Sequence, residues 1–188
     1  MTAFPDRAVF ARRDAAVRAA HVAQGEFLVA AEPDAVLTTI LGSCVSACLW
    51  DAEAGVGGMN HIVLPDAPEN DLRRASAGAN AMELLINGII RRGGERGRLK
   101  AKLFGGAKMI AGLSDVGDRN GRFAVEFLSA EGIETVSTSL GGTLGRRIQF
   151  WPASGRARQM MLTHAQVPSE EIVPADPGPI GGSDIELF

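Results

Sequence analysis

Long apolar runs, a surplus of charge of one sign and bridged cysteines are all missing from this 188-residue chain, and each absence narrows what it can do. The longest stretch without a charge, residues 35–50, is 16 residues long and is interrupted by Thr38, Thr39, Gly42, Ser43 and Ser46. A bilayer span needs about 20 apolar residues, so no membrane insertion is expected. Arg7, Arg12, Arg13 and Asp14 are followed by no apolar core, unlike a secretory signal, so the expected location is the cytoplasm. Net charge is −3 with Lys and Arg dispersed, which leaves no basic face and predicts no nucleic-acid partner. The two cysteines, Cys44 and Cys48, stand four strand steps apart. That is ~13 Å in a strand, beyond the ~7 Å reach of a disulfide. Together with His61 they match no common closed zinc site, and a fourth ligand is not evident, so no metal and no cofactor are expected.

What is present suits one soluble α+β domain. Hydrophobic residues make up 46% and charged residues 22%, and the length fills one core better than two. Residues 1–23 read as a mobile arm, with a short helix over 12–22, and residues 24–166 as the domain. Residues 167–188 form a Pro/Gly-rich tail, in which Pro168, Pro174, Pro177 and Pro179 oppose regular structure. Its last apolar residues, Ile185, Leu187 and Phe188, pack on the chain's own surface or dock elsewhere. Short apolar runs over 26–30, 35–40, 44–50, 57–64, 99–104, 134–140, 146–151 and 158–163 are expected strands. In 71–92, Leu72, Ala75, Ala79, Met82, Ile86 and Ile89 recur at helical spacing, and Gly93 and Gly94 supply the stop. A second helix is expected from Asn120, a good cap residue, through Phe123, Phe127 and Leu128 to Gly132. Many strands and two long helices without regular alternation predict packed mixed β-sheets, a β-sandwich flanked by helices.

The stretch with chemical content joins Thr38 to Asp51 and Gly57 to Pro65. Asp51, Ala52, Glu53, Ala54 and Gly55 separate two apolar runs with good turn chemistry. A hairpin turning on Ala52 and Glu53 sets Cys44 opposite His61, with Cβ atoms about 4.5–5.5 Å apart. Gly55 offers a bulge that shifts this register. An imidazole beside a thiol can take its proton, hold the thiolate and later protonate a leaving group. Gly42 and Ser43 form a tight turn whose backbone N–H groups can stabilise an oxyanion. Thr38 supplies a hydroxyl to fix the imidazole tautomer; Thr39 beside it points to the opposite face of a strand.

Plainer readings stand beside these. Cysteine is among the most buried residue types, and a lone strand histidine is more often structural than catalytic. Cys48 is read as core, and if Cys44 belonged to the same strand it would share that buried face. Gly105 and Gly106 border a substrate groove or form a turn after a strand; no Gly-Lys-Ser/Thr pattern follows, so they are not a phosphate loop. Arg146 and Arg147 read as a solvated strand end, and His21 and His164 are given no role.

Taken as an ordered set, these pieces resemble the CheD family, the chemoreceptor glutamine deamidases of bacterial chemotaxis. The resemblance is carried by Thr38, by Leu41 to Val45, by the 17-residue step from Cys44 to His61, by Asn60, and by Leu64 with Pro65. It continues through Gly25 to Phe27, Ala101 to Met109, Gly141 with Gly142, and Gly145 with Arg146. It implies Cys44 as nucleophile, His61 as base and Thr38 as the third member. The implied reaction hydrolyses chosen glutamine side chains of methyl-accepting chemoreceptors to glutamate, releasing ammonia through a thioester. A CheC-type phosphatase is an implied further partner, and a β-sandwich flanked by helices the implied fold. A chemotaxis adaptor with little catalysis is the alternative, which binding and chemotaxis unchanged by Cys44→Ala would favour. A cysteine peptidase on the same pair is the third reading, recognised by receptor fragments.

Overall fold

A computed structural model describes residues 19–64, 71–109 and 115–162. The expected tail, its apolar end, His164 and most of the N-terminal arm lie outside the described residues. Among those described, the chain forms nine strands and two α-helices. The strands are β1 (Ala19–His21), β2 (Phe27–Ala30), β3 (Val36–Leu41), β4 (Val45–Asp51) and β5 (Val56–Asn60). After helix α1 (Leu72–Arg91) come β6 (Lys100–Gly105), helix α2 (Val116–Ala130), β7 (Glu134–Leu140), β8 (Gly145–Trp151) and β9 (Arg156–Leu162). They make a four-stranded sheet in the order β1-β3-β8-β9 and a five-stranded sheet in the order β2-β5-β4-β6-β7. Both sheets are mixed, because β1 runs parallel to β3 and β7 parallel to β6. The expected α+β sandwich with flanking helices is what the chain forms.

Alternation along β4 builds two cores at once. Val45, Ala47 and Leu49 face α1 and α2, where they meet Met82, Leu85, Ile86, Ile89 and Leu128. Cys48 and Trp50 face the four-stranded sheet, where they meet Leu37, Leu41, Ile148 and Phe150. Every residue of β4 is buried, so this strand is the middle of a helix–sheet–sheet stack. Asp51 closes the strand: its Oδ1 accepts from the N–H groups of Glu53 and Ala54, and its carboxylate pairs with Arg98 at 2.8 Å.

Helix α1 begins where expected. Asp71 caps it by accepting from the N–H groups of Arg73 and Arg74. Its buried stripe, however, is Arg74, Gly78, Met82, Leu85, Ile86 and Ile89, and Leu72 is 82% exposed. Helix α2 starts at Val116 rather than at Asn120, which sits buried inside it. The expected arm also ends earlier than residue 23: Ala19–His21 is a strand and Val22 is fully buried. Arg146 is not a solvated strand end. It is buried, and its guanidinium donates to the carbonyls of Ser139 and Gly141, fixing the loop before β8.

Candidate active site

Cys44 stands just outside β4, at the end of the tight loop from β3. The strand begins one residue later, yet Cys44 shares the buried cluster of Cys48 and is itself 4% exposed. Three carbonyls of this loop are held from behind. The Gly42 oxygen accepts from Ala107 N at 2.9 Å, the Ser43 oxygen from Asn120 Nδ2 at 3.1 Å, and the Cys44 oxygen from Gly106 N at 2.8 Å. Gly105 and Gly106 are therefore part of the wall behind the cysteine, and both are buried. Gly105 takes φ 113°, a left-handed backbone, and a Cβ there would run into the Cys44 carbonyl oxygen.

The hairpin register differs from the expected one. Cys48 pairs with Met59 and Asp51 with Val56, and the bridge between Val45 and Ile62 continues that line. The loop has four residues, 52–55, because Asp51 caps two of its N–H groups and Gly55 accepts φ 64°. Cys44 is consequently level with Val63, and His61 with Ser46, so Cys44 and His61 are diagonal rather than direct neighbours. Diagonal positions on one face stay within reach of a side chain as long as imidazole. Both residues are 4% exposed, whereas Val63 is 47% exposed, which marks the end of the ladder that opens to solvent.

His61 is held by its backbone and by one ring nitrogen. Its N–H donates to the Glu26 carbonyl at 2.9 Å, and its own carbonyl accepts from Gly25 N at 2.9 Å. Asn60 before it points to the helices, accepting from Ala47 N at 2.8 Å and donating to the Ala81 carbonyl of α1. The ring Nδ1 lies 2.9 Å from Thr39 Oγ1, and that hydroxyl donates to the Val22 carbonyl at 2.8 Å. A hydroxyl has one proton; spent on Val22, it leaves Thr39 an acceptor, so the network assigns the hydrogen to Nδ1. Nε2 is then an unprotonated lone pair, buried and without a hydrogen-bond partner among the described residues. Burial, assisted by nearby His21, pushes the pKa of His61 down to about 4, so the ring is neutral near pH 7.

Thr39, not Thr38, is thus the hydroxyl against His61. Strand alternation decides it: Thr39 shares the inward face of β3 with Leu37 and Leu41, while Thr38 points outward and donates to the Ile148 carbonyl at 2.9 Å. The expected choice followed spacing; the better signal was that Thr39 lies between two apolar residues at period two. Cys48 is fully buried, and burial pushes its thiol up to about 12, so it stays protonated and inert. The contact of Asn120 and Arg74 with the cysteine loop was not legible in the sequence. They lie 77 and 31 positions from Ser43, within α2 and α1, and only packing brings them together. Among the described residues no cluster of His, Cys, Asp and Glu is arranged to hold a metal ion.

Known proteins share this arrangement of chain. A family model described as CheD chemotactic sensory transduction matches residues 63–160, which is just over half of the sequence. A probable chemoreceptor glutamine deamidase CheD of Agrobacterium fabrum is 49% identical over 181 residues, covering 93% of this chain and 99% of the relative. The chain belongs to the CheD family. A relative of the same name from Caulobacter sp. is 51% identical over 174 residues, with 89% and 92% of the two chains covered. The family model starts just past His61, whereas alignments of this breadth extend over most of the sequence. Among solved structures, Neisseria meningitidis protein NMB0706 gives a TM-score of 0.43 at 13% identity, over 72% of this chain and 63% of that one. Bacillus licheniformis protein YfiH gives 0.41 at 15% identity, over 60% and 49%.

Proposed function

We propose that the protein hydrolyses the side-chain amides of glutamines on methyl-accepting chemoreceptors, leaving glutamate and releasing ammonia. The observation that carries this reading is the state of His61: one nitrogen tied to Thr39, the other an unprotonated, unpartnered lone pair on the face that Cys44 shares. Nε2 takes the thiol proton of Cys44, and the thiolate attacks the glutamine Cδ. Backbone N–H groups at Ser43 and Cys44 receive the oxyanion, opposite the carbonyls held from behind. His61 returns the proton to the amide nitrogen, which leaves as ammonia, and a thioester remains on Cys44. Water, losing a proton to Nε2, attacks the thioester; glutamate leaves and the thiol is restored.

The narrow exposure of Cys44 supports an amide carried on a side chain. A glutamine reaches a covered thiol on its methylene stem, whereas a peptide bond must lie flush against the nucleophile. This favours deamidation over peptide cleavage. The name shared by the relatives speaks for chemoreceptors as substrate, met at their cytoplasmic helices, and so for a cytoplasmic location. No described helix is long and apolar enough to cross a membrane. The adaptor role and the CheC-type phosphatase rest on the family resemblance. Incubating the full chain with a cognate receptor cytoplasmic fragment should convert selected glutamines to glutamate, read by peptide mass spectrometry, and Cys44→Ala should abolish the conversion. Unchanged glutamines would count against the reading; receptor fragments would point to a peptidase, and docking without conversion to an adaptor.

A further inference from the structure

Two buried polar side chains from different helices converge on the cysteine loop without belonging to the Cys–His–Thr set. Asn120 of α2 and Arg74 of α1 are each 3% exposed. Arg74 Nη2 donates to Asn120 Oδ1 at 2.7 Å, and Asn120 Nδ2 donates to the Ser43 carbonyl at 3.1 Å. A guanidinium has donors alone, so Arg74 dictates which end of the Asn120 amide faces it and leaves the NH₂ end for Ser43. The bond from Arg74 is charge-assisted and buried, which strengthens it and polarises the amide behind it.

Resting on the deamidase reading above, we propose that Asn120, oriented by Arg74, is a positioning residue that sets and polarises the oxyanion-binding peptide of Cys44. The Ser43 carbonyl and the Cys44 N–H belong to one planar trans peptide, so they point in opposite directions. Holding the oxygen toward α2 aims the N–H away from it, toward the side on which the tetrahedral oxyanion forms. Drawing electron density onto the oxygen makes that N–H a stronger donor. The bonds from Gly106 and Ala107 to the adjoining carbonyls keep the peptide from rotating. A side chain needed only to fill space between helix and loop would have no use for a buried cation behind it. A buried guanidinium is costly unless it is hydrogen-bonded, and the bond to Asn120 Oδ1 turns its charge onto the amide that faces Ser43.

The test separates thiolate formation, which depends on His61, from oxyanion stabilisation, which depends on this peptide. Asn120→Asp is nearly isosteric and still accepts from Arg74, but it presents an oxygen to the Ser43 carbonyl where a donor stood. On a cognate receptor fragment it should lower kcat roughly tenfold to a hundredfold, short of the ~10²–10³ lost with a direct oxyanion donor. KM and the pH profile of Cys44 alkylation by iodoacetamide should not move. Arg74→Lys should retain most of the rate, and Arg74→Met, similar in bulk, should fall to the level of Asn120→Asp. A wild-type kcat in folded Asn120→Asp or Arg74→Met overturns the inference alone. So does a loss in which kcat, alkylation and melting temperature fall together. A wild-type chain without turnover on its cognate receptor overturns the deamidase reading, and this inference with it.

Discussion

The hydroxyl of Thr39 closes a short proton-ordered path: it accepts from His61 Nδ1 and donates to the Val22 carbonyl. Thr39→Val removes the buried hydroxyl that links the His61 ring to the Val22 carbonyl, at a cost of about 1–3 kcal/mol in stability. It also frees the ring to rotate or change tautomer, and kcat should fall by about tenfold, the rate equivalent of ~1.4 kcal/mol. Thr38→Val, whose hydroxyl serves the Ile148 carbonyl, should leave kcat near wild type. Steady-state ammonia release from the two variants checks this, and the opposite ranking would return the role to Thr38. His61 gives a pH prediction at the same scale. Its folded pKa of about 4 lies below its ordinary 6.5, so the unfolded chain binds the proton first as pH falls. Stability is unaffected by this group above 6.5 and is lost between 6.5 and about 4, by about 3 kcal/mol in all. Denaturant melts at stepped pH should show that loss in wild type and a smaller one in His61→Gln; identical slopes would contradict a buried neutral ring.

At the scale of elements, the join between β6 and the loop ahead of β4 carries the greatest constraint. Gly105→Ala forces a side chain into left-handed backbone and against the Cys44 carbonyl. It should destabilise the fold by more than ~1 kcal/mol and depress kcat by displacing the cysteine. Gly132→Ala, also at positive φ but in open space, should cost about 1 kcal/mol and leave kcat alone. Equal effects of the two on turnover would deny the clamp. The strands and helices themselves were legible because apolar runs and helical spacing announce local structure. β1 was not: Ala19, Ala20 and His21 carry no strand signal and are held by parallel pairing with Val36 to Thr38, far along the chain. The first half of α1 was misread for a related reason. Leu72 fits the apolar spacing but is exposed, and Arg74 takes the inward place because Asn120 waits for it. Turn chemistry showed the hairpin, yet not its length, since the Asp51 carboxylate fixes a four-residue loop through contacts that composition does not display.

For the whole molecule, the layered stack sets the two cysteines at different depths of one core. Cys48 is fully buried with its thiol pushed up to about 12, while Cys44, in the same core and 4% exposed, lies at its edge, level with Val63, which is 47% exposed. The residues that hold the Cys44 loop come from β6, α1, α2 and the loop behind β6, so its position is set by the packed domain and not by the loop alone. Hairpin spacing set Cys44 directly opposite His61, whereas the ladder makes them diagonal; Asn120 and Arg74 come to the loop only through the folded layers. The account turns on a thioester between Cys44 and the substrate glutamine. Acid-quenching a reaction of the full chain with a cognate receptor fragment, followed by peptide mass spectrometry, should find the receptor glutamyl group on the Cys44 peptide in a hydroxylamine-sensitive adduct. Glutamate appearing at full rate with Cys44→Ala, and no adduct on the wild-type Cys44 peptide, would contradict it.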